Sequence, residues 1–113
     1  MPYMKIQTNA PVSDAESLSK KASSFLSEQL GKPEQYIMIA VEPVGTMLFA
    51  GSTEKTVFAE LKSIGLDDSQ TKALSEAVCG FLGNELGVPS DRVYIEFAGV
   101  PRAMWGWNKG TFA

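Results

Sequence analysis

Residues 25–33 read Phe25-Leu26-Ser27-Glu28-Gln29-Leu30-Gly31-Lys32-Pro33, and residues 81–89 echo them as Phe81-Leu82-Gly83-Asn84-Glu85-Leu86-Gly87-Val88-Pro89. Both copies end in Gly-x-Pro. Glycine accepts the left-handed conformation that closes a helix, and a proline two residues later prevents its continuation. Upstream, Leu18, Ala22, Phe25, Leu26 and Leu30 match Leu74, Val78, Phe81, Leu82 and Leu86. The shared spacing i, i+4, i+7, i+8, i+12 is one buried face of a helix. Downstream, each copy runs into an alternating strand, Ile37-Met38-Ile39-Ala40-Val41 in the first and Val93-Tyr94-Ile95-Glu96-Phe97 in the second.

The chain is therefore written twice. A strand precedes each helix, Tyr3 to Thr8 in the first half and Val57 to about Ser63 in the second, the latter ending at Ile64-Gly65. Ser13 or Asp14 can cap the first helix, with Glu16 placed to complete a capping box on Ser13. Asp67, Asp68 or Ser69 can cap the second. Short apolar pieces at Met47-Leu48-Phe49 and Met104-Trp105-Gly106-Trp107 are expected to add edge strands.

The expected fold class is α+β, with two pseudo-symmetric β-α-β repeats sharing one sheet and both helices on one face. The repeats fall at about 2–50 and 57–107 within a single domain spanning 1–113. The other sheet face is expected to be apolar enough to need covering, for which a closed ring of identical subunits is a natural solution.

Composition narrows the function. A net charge of −3, without a Lys/Arg cluster, argues against nucleic-acid binding. No apolar run approaches the roughly 20 residues that cross a bilayer, so no membrane partner is expected. The N-terminus reads as strand, turn and polar helix and not as a signal peptide, which points to the cytoplasm. With no histidine and a single cysteine, Cys79, neither a metal site nor a disulfide is expected, and no cofactor is called for. Cys79 lies among Ala77, Val78, Phe81 and Leu82, as a small buried hydrophobe would.

Pro2 is the chemically suggestive residue. Initiator methionine is normally trimmed before a small residue, and trimming leaves Pro2 with a free secondary amine at the mouth of a strand. A free α-amino group has a pKa of about 7.7–8.0, which burial or a nearby cation lowers. Such a group serves as a general base near neutral pH without histidine. With Met1 in place, the Pro2 nitrogen is an amide and has no such capacity. Structurally, Pro2 is also an ordinary strand-opening proline whose missing N–H costs nothing.

Pro2 before a strand, Thr8-Asn9-Ala10-Pro11, Gly31-Lys32-Pro33-Glu34-Gln35-Tyr36-Ile37, Phe49-Ala50-Gly51-Ser52, Ser63-Ile64-Gly65, Asp91-Arg92-Val93-Tyr94-Ile95, Gly106-Trp107-Asn108 and Thr111-Phe112-Ala113 form a collinear set. In that order and spacing, they resemble the macrophage migration inhibitory factor family of the tautomerase superfamily. The resemblance implies a homotrimer with active sites between subunits. It also implies keto–enol tautomerisation of phenylpyruvate-like, and dopachrome-like, aromatic acids.

By the same resemblance, Pro2 is the catalytic amine, and Lys32 binds the substrate carboxylate and keeps the amine neutral. The Ile64 backbone borders the substrate, Tyr36, Trp107 and Phe112 form an aromatic wall, and Tyr94 is lent by the adjacent subunit. Two departures fall at the pocket. Glu96 stands where many members have asparagine, and Trp105 replaces a smaller aliphatic residue at the rim. The family's Cys-x-x-Cys falls on Thr56-Val57-Phe58-Ala59, so thiol-oxidoreductase chemistry has no residues here. A charged pair implicated in receptor mimicry falls on Val12 and Val44. The alternative function is a cytokine-like signalling or binding protein with a vestigial pocket. Some relatives leave cells without a signal peptide, which keeps secretion and a cell-surface receptor open.

Overall fold

The computed structural model describes all 113 residues. The elements run β1 (Tyr3–Thr8), α1 (Ala15–Leu30), β2 (Met38–Pro43), β3 (Val57–Ile64), α2 (Asp68–Leu86), β4 (Val93–Val100), β5 (Gly106–Trp107) and β6 (Gly110–Thr111). The main sheet has the order β2-β1-β3-β4. β1 lies parallel to β2, and β3 lies parallel to β4, while β1 and β3 meet antiparallel at the centre. Each half of the repeat is thus one β-α-β unit, and the two halves join through β1 and β3.

Alternation divides the strands between two environments. Met4 and Ile6 from β1 and Val57, Ala59 and Leu61 from β3 are buried. They form one core with Leu18, Ala22 and Leu26 of α1 and Leu74, Val78 and Leu82 of α2, so both helices cover the same sheet face. Phe25 and Phe81, equivalent positions of the repeat, stack with ring centroids 4.7 Å apart.

Asp14, not Ser13, caps α1 by accepting from the Ser17 backbone N–H at 3.0 Å. Glu16 then sits one residue too early to close a capping box. Asp67 caps α2, and its own N–H donates to the Gln70 side chain at 3.1 Å, giving a reciprocal box. Gly31 and Gly87 close the helices at φ of 65° and 69°, where a side chain would be strained.

The opposite face corrects one expectation. Alternation sends Lys5, Gln7, Glu42, Glu60, Lys62 and Glu96 to it, so its centre is charged and not an apolar patch. The expected edge strands are corrected too. Phe49-Ala50-Gly51-Ser52 is a tight turn, with φ of 52° at Ala50 and 74° at Gly51, and its only pairing is Phe49 with Ser52. Met104 belongs to a 3-10 turn over Arg102–Met104, and only Gly106–Trp107 pairs, with Gly110–Thr111. Asn108 and Lys109, at φ of 51° and 68°, make that connection. Such paired left-handed residues form the turn that matches strand twist. No helix is long and apolar enough to cross a membrane.

Arg92 organises the loop before β3. Its guanidinium donates to the carbonyls of Phe49 at 2.6 Å, Ser52 at 3.0 Å, Glu54 at 2.9 Å and Lys55 at 3.3 Å, and it lies over the Phe49 ring. The Asn9 carboxamide oxygen and the Thr8 hydroxyl tie down Thr56 at the loop's far end. Arg92→Ala is expected to lower stability by about 2 kcal/mol, the worth of one to two charge-assisted hydrogen bonds. Arg92→Lys should recover less than half, because one ammonium cannot reproduce the planar fork. Urea denaturation measures both, and an unchanged midpoint for Arg92→Ala would contradict the role.

Candidate active site

Pro2 is buried at the head of β1. Its carbonyl accepts from the Met38 backbone N–H at 3.0 Å, continuing the β1–β2 ladder one step beyond the strand. The missing proline N–H therefore breaks no pairing. Just before it, the Met1 amine donates to the Tyr36 carbonyl. Pro2 and Met1 border a cavity of about 370 Å³ together with Tyr36, Trp105, Trp107 and Phe112.

Two local devices build the aromatic wall. After Gly31, Pro33 starts a 3-10 turn over Glu34–Tyr36 that places Tyr36 beside the entry to β2. The β5–β6 hairpin folds the chain back, so that the Phe112 N–H donates to the Trp105 carbonyl at 3.2 Å. Trp107 and Phe112 stack with centroids 5.6 Å apart and 13° between planes. Tyr36 meets both edge-on, at 6.1 and 6.0 Å. Interlocked rings of this kind gain energy beyond their buried area.

Lys32 and Ile64 come together beside this cavity. The Lys32 ammonium donates to the Ile64 carbonyl at 2.7 Å, and the Lys32 carbonyl accepts from the Ser27 hydroxyl at 2.7 Å. Both line a smaller cleft of about 160 Å³ with Ser63 and Gly65, and neither borders the aromatic cavity. Burial, followed by the Arg102 charge, holds the Lys32 ammonium below the usual lysine value. The terminal amine is likewise lowered from its ordinary 8.0, first by burial and then by the Lys32 charge. A neutral amine beside a cation suits proton abstraction from an acid substrate.

Tyr94 and Glu96 lie elsewhere. β4 is separated from β1 by β3, and both side chains stand on the open sheet face. Tyr94 is 60% exposed and packs against Phe49 at 4.6 Å. Glu96 is exposed and directly opposite Glu60. Neither borders the cavity of its own chain.

Two basic residues outside the sequence-derived set also belong to this region. Lys62 lines the aromatic cavity, and Arg102 donates to the Phe112 carbonyl at 2.8 Å, fixing the end of the wall. Alternation along Val57–Ile64 was the available signal for Lys62, since it places Lys62 on the face opposite Leu61. Nothing in the local pattern signals Arg102. No group of three or more His, Cys, Asp or Glu side chains is arranged to hold a metal ion.

The family model for macrophage migration inhibitory factor (MIF) matches residues 1–113. The chain is 36% identical over 115 residues to the macrophage migration inhibitory factor of Meriones unguiculatus, with all of both chains covered. It is 37% identical over 114 residues to the homolog from Brugia malayi, with 99% of each covered. Among solved structures, it is similar to the homologue from Prochlorococcus marinus, with a TM-score of 0.90 and 49% identity over 98% of this chain and 99% of that one. The protein from Trichinella spiralis also gives a TM-score of 0.90, at 28% identity, covering 96% and 98%.

Proposed function

From the premise that the chain belongs to the macrophage migration inhibitory factor family, we propose that it is a keto–enol tautomerase of phenylpyruvate-like or dopachrome-like aromatic acids. One observation carries the reading: Pro2 borders an aromatic cavity, and the terminal amine next to it is held below its ordinary value by burial and then by the Lys32 charge.

Removal of Met1 converts the Pro2 amide into a secondary amine. The neutral amine takes a proton from the carbon next to the substrate carbonyl. The electron pair of that C–H bond becomes the C=C bond, and the carbonyl pair moves to oxygen. The protonated amine then returns its proton to that oxygen, giving the enol, and the reverse path regenerates the ketone. Lys32, held by Ile64, attracts the carboxylate and opposes protonation of the amine. Tyr36, Trp107 and Phe112 hold the aromatic ring, and Trp105 narrows the rim.

Assembly as a homotrimer completes this site. The open sheet faces turn toward one another, and Tyr94 and Glu96 of one copy approach the cavity of the next. Glu96 there raises the amine pKa and repels an anion, trimming the benefit of Lys32.

The test is a phenylpyruvate tautomerase assay on protein whose intact mass lacks Met1. The rate rises with pH as the Pro2 amine loses its proton, which sets the acid limb of kcat/KM. It declines again at alkaline pH as Lys32 loses its charge, below the ordinary 10.5. Lys32→Gln is expected to move the acid limb upward and weaken the substrate. An acid limb that stays in place in Lys32→Gln would contradict the role given to Lys32.

A further inference from the structure

Lys62 is the single Lys or Arg that borders the aromatic cavity. It projects from the open face of β3, in register with Tyr3 of β1, which in turn pairs with Met38 of β2. All three line the cavity on the sheet side. The ammonium makes one long ion pair within its own chain, to Glu60 two residues earlier on the same strand at 3.7 Å, and stays 45% exposed. Lys5, the other cation on this face, is engaged with Glu42 at 3.2 Å. Glu96 of the same chain lies one step diagonally away, opposite Glu60.

Lys32 is tied to the Ile64 carbonyl, two positions along β3 from Lys62, or roughly 7 Å of strand. One ammonium thus borders the aromatic cavity and a second, Lys32, the cleft beside it, where a monocarboxylate needs only one. A half-exposed ammonium held by one long ion pair is free to turn to a ligand anion in the cavity. The cavity, about 370 Å³, has room for a small aromatic molecule with a substituent.

Resting on the tautomerase reading above, we infer that Lys62 is a second anion anchor, and that the preferred substrate is a dianionic aromatic 2-keto acid. Lys32 takes the carboxylate beside the reacting carbon, and Lys62 takes the acidic group at the far end of the ring.

Steady-state kinetics on Met1-free protein test this with phenylpyruvate and its dianionic analogue 4-carboxyphenylpyruvate. The unsubstituted protein prefers the diacid. In Lys62→Met the ratio of kcat/KM for diacid over monoacid falls by about fivefold, as expected for loss of one partly exposed charge contact. The fall is carried by the KM of the diacid and not by kcat, and Lys62→Arg restores the preference. A ratio unchanged in Lys62→Met, or a fall carried by kcat for both acids alike, overturns the anchor. Calorimetric titration of the same acids separates the two readings. Diacid binding that depends on Lys62, without turnover of either acid, overturns the tautomerase reading and keeps the anchor. Turnover of both acids without preference does the reverse.

Discussion

Pro2→Gly, in protein whose intact mass lacks Met1, is expected to reduce phenylpyruvate kcat/KM by about 10²-fold to 10⁴-fold, the usual contribution of a positioned acid–base group. The proline ring restrains its nitrogen in a residue that borders the cavity, whereas a terminal glycine amine is primary and free to swing away. The fold should survive, because the bond from the Met38 N–H to the carbonyl of residue 2 is made by backbone alone. Protein that retains Met1 should be as inactive as the variant, because its nitrogen at position 2 is acylated. Circular dichroism on both forms separates lost chemistry from lost structure. Undiminished turnover by either form would remove Pro2 from the mechanism.

Leu61→Ala is expected to destabilise the protein by about 3–4 kcal/mol, within the range for Leu→Ala in close-packed cores. Leu61 is fully buried on the helix-facing side of β3, between Met4 of β1 and Phe97 of β4 in the sheet register. Its loss opens a cavity where the two halves of the repeat meet, and backbone pairing on both sides limits collapse into it. At roughly 4 °C per kcal/mol for a chain of this size, the thermal midpoint should fall by more than about 10 °C. Lys20→Ala supplies the contrast. Its pair with Glu16 is well exposed at 3.5 Å, so the change should stay within about 0.5 kcal/mol. Comparable losses for the two variants would contradict this placement of the core.

The helices and central strands were legible because their signals are local. A stripe such as Leu18, Ala22, Leu26 buries one face whichever sheet it meets, and Gly31 and Gly87 end their helices through their own backbone freedom. The edge pieces were not legible. Apolar content at Met104-Trp105-Gly106-Trp107 suggested one strand, but the left-handed pair Asn108 and Lys109 folds the segment into a hairpin. The open face was misjudged for a related reason. Counting apolar residues per strand ignores alternation, which puts Lys5, Glu60, Lys62 and Glu96 on the side away from the helices.

The amino-acid order by itself determined the doubled β-α-β plan, the helix stops and the family resemblance, because each depends on neighbours within a few residues or on a collinear motif. It also marked Pro2, Lys32, Tyr36, Trp107 and Phe112 as worth watching. Tertiary structure alone decided which of these share a space. The antiparallel join of β1 to β3 brings Lys62 beside the cavity that Pro2 borders, 60 positions away in the chain. The same packing gives the Lys32 ammonium to the Ile64 carbonyl and not to the aromatic cavity. Register between distant strands and the reach of long side chains set such meetings, and no local pattern encodes them.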